Sequence, residues 1–396
     1  MRSPKKLVIS LITLLFLPVF RVYSYEQKEI WVVSRETGSL FIIDKDRKII
    51  KEVSSLGDLR HAVIKFKDNS AFLLTRDGYI IKIEDGSVKN KVKVGESSVG
   101  FELSDNIIAV ANYEPKSVVL LDSKNMKIIK ELQTSSRAVG IKSYIDKIIF
   151  SLIDKNEVWI YNLKNGEIKK INLGGMPFDA FLYSQKYIIG FFEENFLGTI
   201  DLETYEFRKF EIKAKRDVLK IPHFGAWGID GNKAYIPALG LNKIFVLDIN
   251  DMSLKEEIEL IGKPIFVVSN GAGKIAVNYS DKEEFISIIE EKGGRKDIRA
   301  GKRIMHLRFI SENELAISSY FEDKVKIIDV NDGKIIEEFN IPYPSGIFFK
   351  GGKFFGKKYH LIQKKYLQKE NFCQFFYENF WKNKKDKTKK QDEKKI

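Results

Sequence analysis

The chain has 396 residues, of which 44% are hydrophobic and 31% are charged, and its formal net charge is +13. The charge is concentrated at the two ends: residues 350–396 carry 15 Lys against five acidic residues, residues 1–24 carry four basic residues, and 25–349 is left at −1. A nucleic-acid-binding surface should be basic on the folded body, so this distribution argues against a nucleic-acid partner. The single cysteine, Cys373, excludes an intramolecular disulfide framework and a Cys-based metal cluster within one chain.

The first 24 residues have the pattern of a secretory signal peptide. Three basic residues precede the mostly apolar run 7–20, and small or branched residues occupy the −3 and −1 positions before residue 25. The run is short for a transmembrane span, which needs about 20 residues. We therefore predict that residues 1–24 are a signal peptide and that the protein is exported. Arg21, which is unusual so close to a cleavage site, leaves an uncleaved anchor as the alternative.

A short apolar strand that ends in an acidic or polar residue recurs eight times along the next part of the chain. The intervals between these end residues are 38 to 47 residues, and the residues themselves are Asp44, Glu84, Asp122, Asn162, Asp201, Asp248, Glu290 and Asp329. A strand-only repeat of about 40–45 residues is typical of a β-propeller blade. Each repeat divides into four strands, which in the first complete one are 61–66, 71–75, 79–84 and 91–94.

The two ends of the repeat array complement each other. It begins with three strands, 30–33, 40–44 and 49–53, and it ends with a lone first strand, 345–349. One strand plus three completes a blade and leaves no open sheet edge. We therefore predict an all-β protein, an eight-bladed β-propeller over residues 25–349 closed by a one-plus-three strand blade. Residues 350–396 are predicted to be a basic, disordered tail.

Strand direction places two sets of loops at one mouth of the central channel. The loops that lead into the innermost strands and the loops that join the second and third strands of a blade must open on the same face. They contain Arg35, Arg60, His61, Arg76, Asn112, Tyr113, Arg137, Asp154, Asp179, Glu193, Asn278, Tyr279, His306, Tyr320 and Ser345. Each has an ordinary structural interpretation, since exposed arginines commonly pair with acidic neighbours and aspartates commonly cap turns.

One interval, between Asp201 and Asp248, is longer than the others. It contains an insertion, 213–225, which opens on the same mouth and carries His223. Loops that a regular repeat does not require often carry function, so His223 is a stronger candidate than a histidine at a strand start. With His61 and His306, three of the four histidines are then predicted at one mouth.

Several chemistries lack their sequence motif. The chain has no Gly-rich phosphate loop between a strand and a helix, no His-Glu-x-x-His zinc site and no Gly-x-Ser-x-Gly elbow. A mouth with imidazoles for an iron and arginines for carboxylates suits a tetrapyrrole, because the centre of that ligand takes His and its rim carries acidic side chains.

Several segments are similar to the NirF family, in order over residues 29–349. They are 56–62, 111–115, 150–154, 220–227, 236–240, 262–267 and 344–349. NirF proteins are periplasmic factors needed to make heme d1, the dioxo-isobacteriochlorin of cd1-type nitrite reductase, and they resemble the eight-bladed d1-binding domain of that enzyme. The chain lacks a Cys-x-x-Cys-His heme c site, which argues against nitrite reductase itself and against the related d1 dehydrogenase.

The resemblance implies a periplasmic protein that binds a late heme d1 precursor, an iron tetrapyrrole of the dihydro-heme d1 type, in the channel mouth and modifies it or hands it on. It implies that His61 is the iron ligand and that His223 or Asp154 acts catalytically on the other side of the macrocycle. Other heme d1 maturation proteins and cd1-type nitrite reductase are the implied protein partners. From blade geometry, the candidates that bind the ligand's carboxylates are Arg35, Arg76, Tyr113 and Arg137.

Two interpretations from other functional classes remain open at this stage. The propeller could be a periplasmic protein-interaction scaffold without tetrapyrrole binding. It could also be a catalyst on a small substrate such as a lactone or phytate, which would need a carboxylate-rich metal site.

The tail departs from the family pattern, and a partner-binding extension and a shifted reading frame are both open explanations. Contact with a membrane is expected only through an uncleaved signal.

Overall fold

Short apolar runs bounded by Asp, Asn, Gly and Lys turns form 32 strands in the computed structural model. The structure describes residues 29–350 except Arg47, Glu193, Asn195, 213–226, 239–240 and Lys292. The predicted signal peptide and almost all of the predicted tail therefore lie outside the described residues. Within the described residues, no helix is long and apolar enough to cross a membrane.

The strands have the following bounds in chain order. The first sixteen are β1 (Glu29–Ser34), β2 (Ser39–Asp44), β3 (Ile49–Val53), β4 (Val63–Lys67), β5 (Ser70–Leu74), β6 (Tyr79–Glu84), β7 (Ser87–Lys93), β8 (Ser97–Leu103), β9 (Ile107–Glu114), β10 (Ser117–Asp122), β11 (Ile128–Gln133), β12 (Ala138–Tyr144), β13 (Lys147–Leu152), β14 (Glu157–Asn162), β15 (Ile168–Asn172) and β16 (Pro177–Tyr183). The others are β17 (Lys186–Phe191), β18 (Phe196–Asp201), β19 (Phe207–Glu211), β20 (Gly228–Asp230), β21 (Lys233–Ala238), β22 (Lys243–Asp248), β23 (Ser253–Glu259), β24 (Pro264–Ser269), β25 (Lys274–Tyr279), β26 (Phe285–Glu290), β27 (Arg295–Arg299), β28 (Ile304–Phe309), β29 (Glu314–Ser319), β30 (Lys324–Asp329), β31 (Ile335–Asn340) and β32 (Pro344–Phe349). Single turns of 3-10 helix lie at Ile153–Lys155 and Tyr320–Glu322.

These strands form eight antiparallel sheets of four strands each, which confirms the predicted eight-bladed propeller. Blades 1 to 7 take consecutive strands from β4 to β31, and blade 8 has the order β3-β2-β1-β32. The second and third strands of a blade are almost wholly buried, whereas fourth strands such as β7 are mostly exposed. The hydrophobic clusters that hold the ring together are shared between neighbouring blades.

In five of the eight repeats, the acidic or polar residue at the end of the third strand has a local structural cause. The side chain of Asp122 accepts hydrogen bonds from the backbone N–H groups of Lys124 and Asn125, at 2.9 Å each. The same kind of turn follows Asn162, Asp201, Asp248 and Asp329. The side chain caps the turn into the outer strand, so the feature that makes the repeat visible in the sequence is structural.

Blade 8 closes the ring by joining the two ends of the propeller. Along β1 and β32, Ile30 pairs with Phe349, Trp31 with Phe348 and Val32 with Ile347. The side chains then complete an apolar cluster with blade 7, whose members include Ile30, Val32, Ile310, Ala316, Ile347 and Phe349. The predicted one-plus-three strand closure is therefore confirmed.

Removing β32 should open the ring. A chain that ends at Ile341 loses the pairing with β1 and the buried side chains of Ile347 and Phe349. Each fully buried side chain of this size stabilises the fold by about 1.5–3 kcal/mol, and a domain has only about 5–15 kcal/mol in total. We expect urea unfolding, followed by circular dichroism, to shift to a much lower midpoint. A chain that ends at Lys353 is the matched control and should keep the midpoint of the full chain; equal midpoints for all three would contradict the closure.

Candidate functional site

The loops at one mouth of the channel are joined by backbone hydrogen bonds across blades. The loop between β3 and β4 contacts the β5–β6 loop, where the Arg76 N–H donates to the Asp58 carbonyl at 2.9 Å and the Asp58 N–H donates to Asp77 Oδ1 at 3.1 Å. The Ser98 N–H, at the start of blade 2, donates to the Arg76 carbonyl at 3.1 Å. The residues predicted at this mouth in blades 8, 1 and 2 are thus held by one network.

His61 lies at an exposed tight turn of this network. The Ala62 N–H donates to the Leu59 carbonyl at 3.1 Å, and His61, the third residue of the turn, has φ +62°. A turn of this kind favours Gly or Asn at that position, and another residue there costs about 1–2 kcal/mol. Fourteen other described non-glycine residues also have positive φ, so this conformation alone does not mark His61 as functional.

The loops around His61 carry two arginines, of which one is paired with a carboxylate and the other has no hydrogen-bonding partner among the described residues. Arg60 forms a forked pair with the Asp58 carboxylate, with its Nε at 2.9 Å from Oδ1 and its Nη2 at 2.6 Å from Oδ2. Arg76 is half-buried and within electrostatic range of Asp58 and Tyr113, and no described residue forms a hydrogen bond or ion pair with its guanidinium. The guanidinium N–H groups of Arg76 are therefore available to an acceptor on a ligand.

Tyr113, Arg137 and Asp154 form a cluster on blades 2 and 3. The Arg137 guanidinium lies 5.6 Å from the centre of the Tyr113 ring, and its Nε and Nη2 donate to Asp154 Oδ1 at 3.1 and 2.7 Å. The Arg137 N–H donates to Asp154 Oδ2 at 3.0 Å. Burial raises the pKa of Tyr113, with Asp179 adding to the rise. The phenol is therefore a neutral hydrogen-bonding group at neutral pH.

Asp154 is an ionised carboxylate in this cluster. The hydrogen bonds from Arg137 lower its pKa to about 2, against the opposing effect of partial burial. Two residues for which the sequence predicted separate roles, Arg137 for ligand carboxylates and Asp154 for catalysis, are thus each other's partners. This pairing favours a positioning role for Asp154 over proton transfer at neutral pH.

A second cluster joins blades 7 and 8 on the same face. The Tyr320 hydroxyl donates to Glu36 Oε1 at 2.9 Å, and the Arg303 guanidinium lies over the Tyr320 ring at 5.5 Å. Arg35 Nε is 3.3 Å from Glu36 Oε1, close enough for an ion pair, but their geometry makes no hydrogen bond and the nitrogen is sealed from solvent. A buried polar atom without a hydrogen bond is uncommon and needs an explanation.

His306 lies deeper than the sequence predicted. It is within β28, on the innermost strand of blade 7, and its Nδ1 accepts a hydrogen bond from the Ile347 N–H at 3.2 Å. Burial lowers the pKa of His306 well below its usual value, and the charge of Arg308 adds to the effect. The imidazole is therefore neutral, and the hydrogen bond to Nδ1 places its proton on Nε2.

Some residues predicted near the mouth have structural roles instead. The amide of Asn112 is fully buried and bonds to the Val94 carbonyl and to Ser98. Asn278 is buried and donates to the Ile304 carbonyl, and the Tyr279 hydroxyl pairs with Ser287 inside blade 6. The Ser345 hydroxyl donates to the Val33 carbonyl in the closing blade. Asp179 is half-buried, and its Oδ1 accepts the Ala180 N–H at 2.8 Å. His223, with its insertion, and Glu193 lie outside the described residues.

The sequence analysis missed Glu36, Arg303 and Arg308. Glu36 and Arg303 lie in the predicted mouth loops and are visible only as ordinary charges in the sequence. Arg308 had a clearer signal, since a polar residue recurs at His306 and Arg308 with the period of two that places both on one side of a strand.

A cavity among the described residues lies on the opposite face from the mouth. It has a volume of about 240 Å³ and lies between blades 8 and 1, beside Asp44, Lys51, Asp85 and Lys350. Small-molecule sites usually occupy about 300–1,000 Å³, so this cavity is small for a ligand of tetrapyrrole size. Among the described residues, no group of three His, Cys, Asp or Glu side chains could hold a metal ion.

Comparison with known proteins places the sequence among heme d1-related propellers. Residues 26–353 match the family described as Cytochrome D1 heme domain. The chain is 29% identical over 352 residues to Protein NirF of Stutzerimonas stutzeri and 28% identical over 353 residues to Protein NirF of Pseudomonas aeruginosa, and each alignment covers 80% of this chain and 90% of the relative. The solved structure of dihydro-heme d1 dehydrogenase NirN in complex with DHE superposes with a TM-score of 0.73 at 18% identity, over 84% of this chain and 78% of that one. At this identity the structural likeness shows a common fold.

The pairing of Arg137 with Asp154 predicts an unusual titration. The Asp154 carboxyl should titrate near pH 2, and Arg137→Gln should move its midpoint towards the ordinary value of about 3.9. Because the folded-state pKa is depressed, the pair contributes stability above about pH 3.9, and that contribution is lost as the pH falls through about 2. Carboxyl ¹³C chemical shifts give the titration midpoints. The Asp154 midpoint in Arg137→Lys should fall between those in the unmodified protein and in Arg137→Gln. An Asp154 midpoint near 3.9 in the unmodified protein would rule out the pairing.

Proposed function

Because the chain belongs to the cytochrome D1 heme domain family, as its NirF-like segments predicted, we propose that it is a heme d1 biosynthesis protein that binds an iron tetrapyrrole at the mouth of its propeller. The ligand is a late heme d1 precursor of the dihydro-heme d1 type. The protein works after export, in the periplasm, where it modifies this ligand or hands it on. Its protein partners are other heme d1 maturation proteins and cd1-type nitrite reductase.

The observation that carries the proposal is the half-buried Arg76 guanidinium at the mouth, for which no described residue supplies a hydrogen-bonding partner. Arg35 lies beside Glu36 with its Nε sealed from solvent, and its side chain is 24% exposed, so its other nitrogen atoms are the ones that can meet a ligand. Guanidinium groups bind carboxylates in a forked geometry, and the rim of a tetrapyrrole carries several carboxylates. Arg35, Arg76 and Arg137 come from blades 8, 1 and 3, so together they would hold a wide, flat polyanion rather than a small one.

The two described histidines of the channel differ in what they offer an iron. His306 accepts a hydrogen bond at Nδ1 and carries its proton on Nε2, so it is a hydrogen-bond donor. His61 is exposed at the mouth on a strained turn, and its ring is the better candidate for an axial ligand. The bound iron tetrapyrrole supplies the redox and ligand-binding chemistry of the site.

The Tyr113, Arg137 and Asp154 cluster would orient the ligand from the other side of the mouth. Asp154 holds the Arg137 guanidinium by its Nε and Nη2 atoms, and the Tyr113 ring lies beside it. Fixing a long cation in advance lowers the entropy that is lost when a carboxylate binds. His223 remains the proposed catalytic residue on the opposite side of the macrocycle, together with Asp154 in its positioning role.

Replacing His61 should weaken binding without unfolding the protein. His61→Asn suits the left-handed backbone at this turn and removes the imidazole. We expect dihydro-heme d1 to shift its Soret band on binding to the unmodified protein, and the variant to bind roughly tenfold or more weakly, since even changes beside metal ligands cost about 10–100-fold. The matched control is His360→Ala. An unchanged spectrum and affinity in His61→Asn would remove His61 from the site.

Arg76 should contribute affinity through a carboxylate of the ligand. Arg76→Gln removes the charge at a position where no described residue forms a hydrogen bond with the guanidinium. A hydrogen bond to a charged group contributes about 1.5–3 kcal/mol, so the dissociation constant of dihydro-heme d1 should rise about tenfold or more. The control is Arg208→Gln, whose guanidinium pairs with Glu206 on the outer strand of blade 4. Equal losses in both variants would indicate a general effect of net charge instead.

A further inference from the structure

The innermost strand of blade 7 presents two polar side chains, His306 and Arg308, on one side. We name them the inner-edge pair. Along this stretch of β28 the pairing is regular, with His306 opposite Ser318 and Arg308 opposite Ala316, so residues two apart point to the same side. Leu307, between them, is fully buried in the cluster shared with blade 6. The inner-edge pair therefore faces blade 8 and the channel.

His306 is fixed as a hydrogen-bond donor. The Ile347 N–H of blade 8 donates to its Nδ1, the Phe348 ring stacks on it at 6.2 Å, and the Phe266 ring of blade 6 meets it edge-on at 5.4 Å. These contacts set the orientation of the imidazole and leave the Nε2–H as its donor. No described residue accepts a hydrogen bond from that group.

Arg308 is a largely enclosed cation that has no counter-charge among the described residues. Burial lowers its pKa to about 10, so it stays protonated at neutral pH. Over the part of the chain that the structure describes, no carboxylate or carbonyl accepts a hydrogen bond from it, and the residue is partly exposed. By contrast, Lys65, a cation on the first strand of blade 1, is paired with Glu102, and its Nζ lies 2.8 Å from Glu102 Oε2. An enclosed charge without a partner is costly, which points to an anion that is bound from outside the chain.

We propose that the inner-edge pair binds a carboxylate group in the channel below the mouth. The Arg308 guanidinium takes both oxygens of the carboxylate or one of them, and the His306 Nε2–H donates to the group. Of the two side chains only Arg308 is charged, and the neutral His306 lies between the aromatic rings of Phe266 and Phe348. One positive charge beside flat rings favours a flat monoanion over phosphate, with its charge of about −1.5 to −2. The carboxylate has two possible sources, a substituent of the bound tetrapyrrole or a free small acid. Only the first rests on the proposed function.

The first arm of the test uses sodium acetate and the unmodified full-length protein with ¹⁵N-labelled arginine and histidine. Arg308→Lys identifies the Arg308 Nε signal by its disappearance. We expect saturable shifts of Arg308 Nε and His306 Nε2 as acetate is added, and no saturable shift of the exposed Arg208. Such shifts show that the inner-edge pair binds a carboxylate, and the second arm decides its source.

The second arm uses iron(III) deuteroporphyrin, which carries two carboxylates, and its dimethyl ester, which carries none. If a substituent of the macrocycle fills the site, the diacid shifts the Arg308 Nε signal and binds more tightly than the ester. Arg308→Met should then reduce this preference roughly tenfold, whereas Arg308→Lys should reduce it less. If Arg308→Met does not fold, the shifts in the unmodified protein decide the outcome.

The proposal is overturned if neither acetate nor the diacid moves the Arg308 Nε signal. In that case Soret changes on addition of the diacid would still report binding at the mouth. Failure of the inner-edge pair and failure of tetrapyrrole binding are therefore distinguishable.

Discussion

The pairing of β32 with β1 is the contact on which the rest of the molecule depends. It joins strands more than 300 residues apart in sequence and turns an open row of four-stranded sheets into a closed ring. Only in a closed ring do loops from blades 8, 1, 2 and 3 surround one mouth. The same closure brings Ile347 beside His306 and Tyr343 beside Arg35, so it also positions side chains that belong to the site.

The ring positions charged side chains at two levels of the channel, at the rim and below it. At the rim, no described residue forms a hydrogen bond with the Arg76 guanidinium, whereas Arg60 and Arg137 are held by Asp58 and Asp154 and Arg35 lies beside Glu36. Below the rim, the inner-edge pair adds one enclosed cation and one neutral donor. A flat ligand with several carboxylates is the class of molecule that satisfies both levels, which is why the family relationship and the local electrostatics lead to the same proposal.

The fold was accessible from the sequence because its signal repeats. Five of the eight third strands end in a residue such as Asp122 that caps the next turn, and the one-plus-three arrangement of strands is visible at the two ends. The site was only partly accessible. Loop position placed His61, Arg76 and Tyr113 correctly on one face, but it could not tell that Arg137 and Asp154 pair, that Asn278 is buried, or that His306 lies in the channel wall. Those facts depend on side-chain packing between neighbouring blades, which has no period in the sequence.

The most direct test is a crystal structure of the protein with bound dihydro-heme d1. The macrocycle should lie across the mouth formed by the loops before β4, β8 and β12, with the His61 imidazole on its iron and its carboxylates on Arg35, Arg76 and Arg137. A macrocycle bound on the opposite face, or at the mouth without contact to His61 and these arginines, would contradict the account.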